Sequence, residues 1–183
     1  MHFTATDLPG VFLIEPEPAV DDRGMFARTW CRQEFSEHGL DANWVQSSVS
    51  FNPHRGTVRG LHYQAPPNPE TKLIRCTRGA IFDVVVDLRP GSPTLGRHIA
   101  IELNANTHRE LYVPDGLAHG FQTLEDDTEV IYLISEYYHP ELSRGVRWND
   151  PAFGIAWPLP VSKISERDRT YPDWSAELVG KGT

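Results

Sequence analysis

The stretch Ala80-Ile81-Phe82-Asp83-Val84-Val85-Val86-Asp87-Leu88 decides the fold class, because its side chains alternate at every second position. On an extended strand the two resulting faces hold Phe82, Val84, Val86 and Leu88 on one side, and Ile81, Asp83, Val85 and Asp87 on the other. We expect the first face to pack and the second to carry the acids. Gly79 is expected to form the turn of a hairpin that joins Leu73–Thr77 to this strand.

From Trp44 onward, short apolar segments are separated by turn residues about every eight to twelve positions, which is typical of an all-β sandwich or barrel. Further strands are predicted at His98–Leu103, Arg109–Val113, Ala118–Leu124 and Glu129–Ser135. Because tight, acidic turns separate these segments, we expect them to form an antiparallel meander.

The two ends of the chain differ from this pattern. Residues 1–50 predict an extended arm with a strand at Val11–Glu15, a turn at Asp21–Gly24 and a short helix at Arg32–His38 that Gly39 ends. Residues 151–183 predict one helical turn at Ser165–Asp168, capped by the hydroxyl of Ser165. With residues 51–150 as the barrel core, the 183 residues are expected to form one domain.

Composition excludes several kinds of partner. A net charge of -8 repels nucleic acid and anionic membranes, so neither is expected to bind. The sequence contains no apolar run that could span a bilayer and starts without a signal-peptide pattern, so we expect a cytoplasmic protein. Cys31 and Cys76 lack CxxC spacing and are interpreted as small buried side chains, although a single disulfide between them remains an alternative.

The segment Val58–Lys72 concentrates the chemistry of the chain. It contains a permanent cation at Arg59, a side chain that can exchange a proton near neutrality at His62, and an ammonium at Lys72. Five cations cluster in this acidic chain at Arg55, Arg59, Lys72, Arg75 and Arg78. The pattern indicates a reaction site or an anion site, and the alternative is a partly exposed strand with unremarkable surface charges.

Strand geometry sets a condition on that interpretation. Strict alternation places Arg59 and His62 on opposite faces of one strand. Both can reach one ligand only if Gly60 marks a bulge or a twist, which is a frequent role of glycine within strands. We therefore predict a bulge at Gly60.

The turn Pro114-Asp115-Gly116-Leu117-Ala118-His119 has the Pro-x-Gly-x-x-His spacing with which many cupin barrels present a metal-binding histidine. Such cupins also use an His-x-His pair, whereas this chain has His62-Tyr63-Gln64 at the matching place. A metal would therefore rely on His62, Glu70 and His119. A metal-dependent cupin enzyme such as a dioxygenase is accordingly the weaker hypothesis.

Several ordered motifs together resemble the dTDP-4-dehydrorhamnose 3,5-epimerase family, over about Leu8 to Asp168. The motifs are Arg55–Gln64, Lys72–Arg75, Phe82–Asp87, Pro114–Phe121 and Arg144–Pro151. The resemblance implies a cupin-type jelly-roll barrel and a homodimer in which the N-terminal arm joins the sheet of the partner. It also implies epimerisation at C3 and C5 of a nucleotide-linked 4-keto-6-deoxyhexose, with no metal or redox cofactor. Epimerisation at C3 alone, or a non-catalytic sugar-nucleotide-binding protein, are the alternatives.

The resemblance also implies roles for individual residues. His62 is the base, Asp168 orients it, Tyr132 is the acid, and Lys72 stabilises the enolate. Arg59 binds the diphosphate and His119 lies at the sugar. The remaining residues on the nucleotide side are Arg23, Phe26, Gln46, Ser48 and Tyr138. Without the resemblance, Tyr132 would be interpreted as a core aromatic and Asp168 as a surface acid.

The chain departs from the family pattern at two positions on the nucleotide side. Arg28 stands where members usually carry a glutamate, and Ser48 stands where they usually carry an asparagine. If Arg28 faces the base, a donor replaces an acceptor, which would favour a base without a ring N–H at that edge, such as cytosine. The preference for thymine therefore stays open at this point.

Overall fold

The computed structural model describes residues 1–41 and 43–175 and contains thirteen strands and two short helices in that range. The elements are β1 (His2–Ala5), β2 (Phe12–Glu15), β3 (Ala19–Asp21), β4 (Gly24–Phe26), α1 (Arg32–Glu37), β5 (Gln46–Asn52), β6 (Val58–Gln64), β7 (Lys72–Arg78), β8 (Ala80–Asp87), β9 (His98–Asn104), β10 (Glu110–Val113), β11 (Leu117–Thr123), β12 (Thr128–Ile134), a 3-10 turn (Pro140–Leu142), β13 (Ser143–Gly145) and α2 (Glu166–Thr170).

Two facing antiparallel sheets form the body of the protein. One has the strand order β1-β2-β10-β7-β12-β5, and the other has the order β13-β6-β11-β8-β9. Apart from the β8–β9 hairpin, successive strands from β5 to β13 lie in different sheets, so the chain repeatedly crosses from one sheet to the other. This arrangement is a jelly roll, and it confirms the predicted all-β fold of the cupin type.

The predicted strand partners are partly wrong. β7 and β8 do not form a hairpin, because Gly79, with a φ of +72°, carries the chain from the six-stranded to the five-stranded sheet. The predicted meander is also wrong, since β9 and β11 lie in one sheet while β10 and β12 lie in the other. Alternation predicts where a strand runs, but the need to bury both inner faces against each other decides which strands pair.

The acid-bearing face of β8 is buried as well, contrary to expectation. Ile81 and Val85 pack between the sheets, and Asp83 and Asp87 are fully buried beside them. Asp83 contacts His119, while Asp87 accepts hydrogen bonds from residues of the following turn: Arg89, Ser92 and Thr94. Asp87 is tolerated inside because these donors replace water, whereas Asp83 relies on its contact with His119.

The outer faces of both sheets are covered by the ends of the chain. Helix α1 buries Phe35 against Tyr112 and Leu73 of the six-stranded sheet. On the other side, Trp157 and Trp174 pack over the outer face of β8. The predicted helices are confirmed to within a residue or two, and the Ser165 hydroxyl caps α2 by accepting from the Asp168 amide at 3.0 Å.

The N-terminal arm is divided into two parts. β1 pairs with β2, and β2 pairs with β10, so these strands extend the sheet of their own chain. β3 and β4 form a separate hairpin around the predicted turn at Asp21–Gly24. Cys31 and Cys76 are both free thiols. Among the described helices, none has the length and apolar character needed to cross a bilayer.

The predicted irregularity at Gly60 is present in β6. His62 lies opposite His119 on β11, whereas Arg59 lies opposite Phe121, so the register slips by one residue between these pairs. Gly60 has a φ of +112°, and a Cβ there would lie 2.7 Å from both the Gly120 Cα and the His119 carbonyl oxygen. The bulge therefore needs glycine for its backbone conformation and for the close approach of β11.

We predict that Gly60→Ala lowers the free energy of unfolding by more than the roughly 1–2 kcal/mol expected for a left-handed backbone conformation alone. Gly91→Ala is the matched control, because Gly91 has a φ of +76° but open space around its Cβ position. Urea unfolding of both variants measures the difference. Equal losses would show that the contact with β11 adds no constraint.

Candidate active site

A cavity of about 630 Å³ is bordered by β6, β7, β11 and β12. Its walls come from both sheets and from the C-terminal segment. That segment reaches the cavity because it runs beside β6, where the Val58 amide donates to the Lys163 carbonyl at 2.8 Å and Thr57 forms a parallel bridge with Lys163. Helix α2, five residues long, follows immediately and brings Asp168 to the cavity.

His62 and Asp168 form a close pair in the wall of the cavity. The Nε2 atom of His62 lies 2.6 Å from Oδ1 of Asp168, and the Gly60 amide donates to Oδ2 at 3.2 Å. Burial acts to raise the pKa of Asp168, but the hydrogen bonds from His62, Gly60 and Ser165 outweigh it and lower that pKa below its usual range. The carboxylate stays ionised at neutral pH and, by binding Nε2, leaves Nδ1 as the basic nitrogen of His62.

Tyr132 enters the cavity from β12, in the sheet opposite His62. Its hydroxyl makes no hydrogen bond to any residue in the described ranges. Burial raises the pKa of Tyr132 well above its usual value; the nearby charge of Asp83 adds to this effect and that of Arg59 partly offsets it. The phenol therefore remains protonated throughout the neutral range and can act as a proton donor.

Lys72 reaches the cavity from β7, next to β12. Its ammonium lies 2.7 Å from Oε1 of Glu70 and donates to the His62 carbonyl oxygen at 3.4 Å. Only 11% of the Lys72 side chain and 12% of the Glu70 side chain are exposed. The cation is therefore held at a defined place in the wall, close to the strand that carries His62.

A second histidine–carboxylate pair lies deeper. Nε2 of His119 is 2.7 Å from Oδ1 of Asp83, and both side chains are buried. Burial raises the pKa of Asp83, although the contact with His119 acts to lower it. The ring of His119 stands edge-on to Tyr132, with their centroids 6.0 Å apart, so the pair supports the wall beside the phenol.

Arg59 lies at the exposed mouth of the cavity. Its Nε atom donates to the Oδ1 atom of Asn52 at 2.6 Å, and the rest of its guanidinium makes no hydrogen bond within the described part of the chain. Tyr138, which is 58% exposed, also lines the mouth. The structure thus brings together the predicted residues His62, Asp168, Tyr132, Lys72, Arg59, His119 and Tyr138.

The other predicted binding residues do not line this cavity. Arg23 and Phe26 lie on the separate β3–β4 hairpin, where Arg23 contacts Asp21 and Phe26 is 78% exposed. Gln46 and Ser48 lie on β5, the edge strand of the six-stranded sheet. Their roles stay predictions.

Arg28 is the residue that left the preference between thymine and cytosine open, and it contacts a residue of its own chain. Its guanidinium lies 3.4 Å from Oε1 of Glu34 on α1, and it does not line the cavity. Within one chain, therefore, the Arg28 guanidinium, which was considered as a hydrogen-bond donor to cytosine, already contacts the Glu34 carboxylate.

Three residues of the site were not assigned these roles from the sequence. Asp83 was interpreted only as part of an acidic face, although its neighbours Ile81 and Val85 two positions away gave a signal that it points inward. Glu70 was considered only as a metal ligand. Asn52 carried no local signal, because its partner Arg59 lies on a strand of the other sheet.

The donors considered for a metal are engaged in other contacts. His62 contacts Asp168, His119 contacts Asp83, and Glu70 contacts Lys72. In the described ranges, no group of three or more histidine, cysteine or acidic side chains has an arrangement that could hold a metal ion. The metal hypothesis therefore finds no support in the chemistry of these residues.

Comparison with known proteins agrees with the geometry. The family model described as dTDP-4-dehydrorhamnose 3,5-epimerase matches residues 5–176. The dTDP-4-dehydrorhamnose 3,5-epimerase of Methanothermobacter thermautotrophicus is 44% identical over 173 residues, which cover 93% of this chain and 92% of the relative.

Solved structures extend the similarity to three dimensions. The Bacillus anthracis dTDP-4-dehydrorhamnose 3,5-epimerase with TDP and PPi bound has a TM-score of 0.90 and 40% identity, covering 94% of this chain and 99% of that one. A 3′-monoepimerase from Streptomyces bikiniensis in complex with dTDP-quinovose has a TM-score of 0.87 and 36% identity, covering 96% and 89%. This chain belongs to the dTDP-4-dehydrorhamnose 3,5-epimerase family.

Proposed function

We propose that this protein converts dTDP-4-dehydro-6-deoxy-D-glucose into dTDP-4-dehydro-L-rhamnose by epimerisation at C3 and C5, without a metal or redox cofactor. One observation carries the proposal. The His62 imidazole, held by Asp168, and the free Tyr132 phenol enter one cavity from opposite sheets. A base and an acid on opposite walls are what inversion at a carbon next to a ketone requires.

The first step is proton removal. The C4 ketone makes the hydrogens on C3 and C5 acidic, and Nδ1 of His62 takes one of them. Asp168 holds the ring through Nε2 and stabilises the imidazolium that forms, because its carboxylate stays ionised.

The second step is stabilisation of the enolate oxygen. The Lys72 ammonium is fixed between Glu70 and the His62 carbonyl, so it need not reorganise when negative charge develops on that oxygen. An electrostatic interaction of this kind gains strength where the cavity excludes water.

The third step is proton return. Tyr132 donates its phenolic proton to the face of the carbon opposite His62, which inverts the configuration. If His62 returns the proton instead, the original configuration is restored. Tyr132 therefore separates epimerisation from mere exchange with solvent.

The nucleotide diphosphate is proposed to bind at the mouth. A planar guanidinium suits phosphate oxygens, so Arg59 contacts the diphosphate, with Tyr138 beside the nucleotide and His119 at the sugar. This proposal is consistent with the TDP and PPi bound to the Bacillus anthracis relative.

Epimerisation at C3 alone is the second candidate. It is favoured by the similarity to the 3′-monoepimerase from Streptomyces bikiniensis. Inversion at both carbons requires the sugar to present C3 and then C5 to the same base, because one His62–Asp168 pair serves the cavity.

We further propose a homodimer in which the β3–β4 hairpin of one protomer reaches the cavity of its partner. The hairpin exposes Val20 and Phe26 by 75% and 78%, and it carries Arg23 away from the cavity of its own chain. Exposed apolar side chains of this size favour a protein contact.

We expect His62→Asn to lower the rate of deuterium exchange at the sugar by at least about 100-fold, because it removes the general base. NMR of the nucleotide sugar in D2O measures the exchange at C3 and C5 separately. Exchange at both carbons in the wild type supports the double epimerase, and exchange at C3 alone supports the second candidate. His98→Asn is the control, because His98 lies outside the cavity. If His62→Asn keeps the exchange, His62 is not the base.

Tyr132→Phe is expected to lower the rate of epimerisation more than the rate of exchange, so the ratio of exchange to inversion rises. His62 can still remove a proton and return a deuteron to the same face, whereas the opposite face loses its acid. Time-resolved NMR of substrate and product in D2O gives both rates. A proportional loss of the two rates would contradict the role of Tyr132.

Mixing two defective variants tests the exchange of hairpins. His62→Asn lacks the base, and Arg23→Ala lacks the proposed nucleotide contact. If the hairpin serves the partner, a mixed dimer contains one site with both defects and one intact site, so we expect activity to be partly restored after joint refolding. Activity equal to the sum of the separate variants would contradict the proposal, and sedimentation measures the dimer itself.

A further inference from the structure

We propose that Asn52 is a positioning residue that aims the guanidinium of Arg59 at the diphosphate. The inference rests on the proposed function for the role of Arg59, and it adds a residue that no resemblance assigned. Asn52 ends β5 in the six-stranded sheet, and Arg59 lies near the start of β6 in the other sheet. The contact between them therefore bridges the two sheets at the mouth of the cavity.

The carboxamide of Asn52 has a defined orientation. Asn52 is fully buried, and its Nδ2 atom donates to the Thr128 carbonyl at 3.3 Å and to the Ser50 carbonyl at 3.2 Å. Both of these groups are acceptors only, so the amide cannot be flipped without losing both hydrogen bonds. The Oδ1 atom must therefore face Arg59, whose Nε donates to it at 2.6 Å.

This contact selects which edge of the guanidinium is free. With Nε bound to Asn52, the edge formed by the two Nη atoms remains for a ligand, and a guanidinium edge can bind two phosphate oxygens at once. Arg59 is exposed and would otherwise sample many rotamers. Fixing it before binding lowers the entropy lost when the diphosphate is bound.

The group that binds Arg59, the amide of Asn52, is also uncharged, and this matters for an anionic ligand. A carboxylate at this place would offset the charge of Arg59, whereas an amide oxygen orients the cation without offsetting it. An asparagine thus combines the two requirements of a diphosphate site, a fixed direction and an undiminished positive charge.

The test is a double-mutant cycle with inorganic pyrophosphate and dTDP as probes, measured by isothermal titration calorimetry. We expect Asn52→Ala to weaken binding of both probes by about 10-fold, which is typical of losing a hydrogen bond to a charged group. In the Arg59→Ala background, the same substitution is expected to have no further effect, because the residue that it positions is gone.

Thr94→Val is the matched control. Its hydroxyl is buried and donates to Oδ2 of Asp87 at 2.6 Å, without contacting Arg59 or Asn52. We expect this variant to lose stability while it keeps the dissociation constant for pyrophosphate within about two-fold. If Asn52→Ala fails to fold, Asn52→Asp keeps the volume; it is expected to weaken pyrophosphate binding, because its carboxylate offsets the charge of Arg59.

Kinetics separate positioning from a structural role. Asn52→Ala should raise the KM for the nucleotide sugar and leave kcat within about two-fold, because the diphosphate is remote from C3 and C5. Weaker binding in both Arg59 backgrounds, unchanged binding, or a fall in kcat alone would each overturn the inference. Because pyrophosphate binding needs no turnover, a wild type that binds it but exchanges no sugar proton would refute the proposed function and not the role of Asn52.

Discussion

The register slip between β6 and β11 at Gly60 is the constraint on which the site depends. In a regular strand, Arg59 and His62 would point to opposite faces, yet the slip lets both line one cavity. The same glycine donates its amide to Oδ2 of Asp168, which fixes the carboxylate behind His62. Gly60 therefore bears both on the placement of His62, the proposed base, and on the orientation of Asp168.

The two histidine–carboxylate pairs have nearly equal N–O distances, but the pKa of the carboxyl group is lowered in one pair and raised in the other. Asp168 accepts from His62 and the Gly60 amide, and its own amide is bound by Ser165, so its pKa is lowered despite burial. Asp83 accepts from His119 only, its Oδ2 atom has no partner in the described residues, and its pKa is raised by burial. Asp83 is fully buried with a single donor, whereas Asp168 has several donors, so burial and the number of donors, not the histidine distance, set the opposite pKa shifts.

The positions of the strands could be predicted from alternation. The bulge could be predicted as well, because Arg59 and His62 can reach one ligand only if the strand is irregular at Gly60. The partners of the strands could not, since alternation is a local signal and Gly79 sends β8 to the other sheet. Contacts between distant residues carry no local signal either. Asp168 lies 106 residues after His62, and its role came from the resemblance alone.

Two of the cations that line the cavity, Lys72 and Arg59, have partners of different charge, and this difference bears on where an anion binds. Lys72, deep in the wall, is paired with the carboxylate of Glu70, whereas Arg59, at the exposed mouth, is paired with the neutral amide of Asn52. A diphosphate is already fully charged when it arrives, so of these two cations it is attracted more to Arg59, whose charge is not offset. In the proposed mechanism, the enolate acquires its charge only during the reaction, beside the ammonium that is already fixed. The pairing therefore favours the diphosphate at the mouth and leaves the inner site to the neutral sugar ketone.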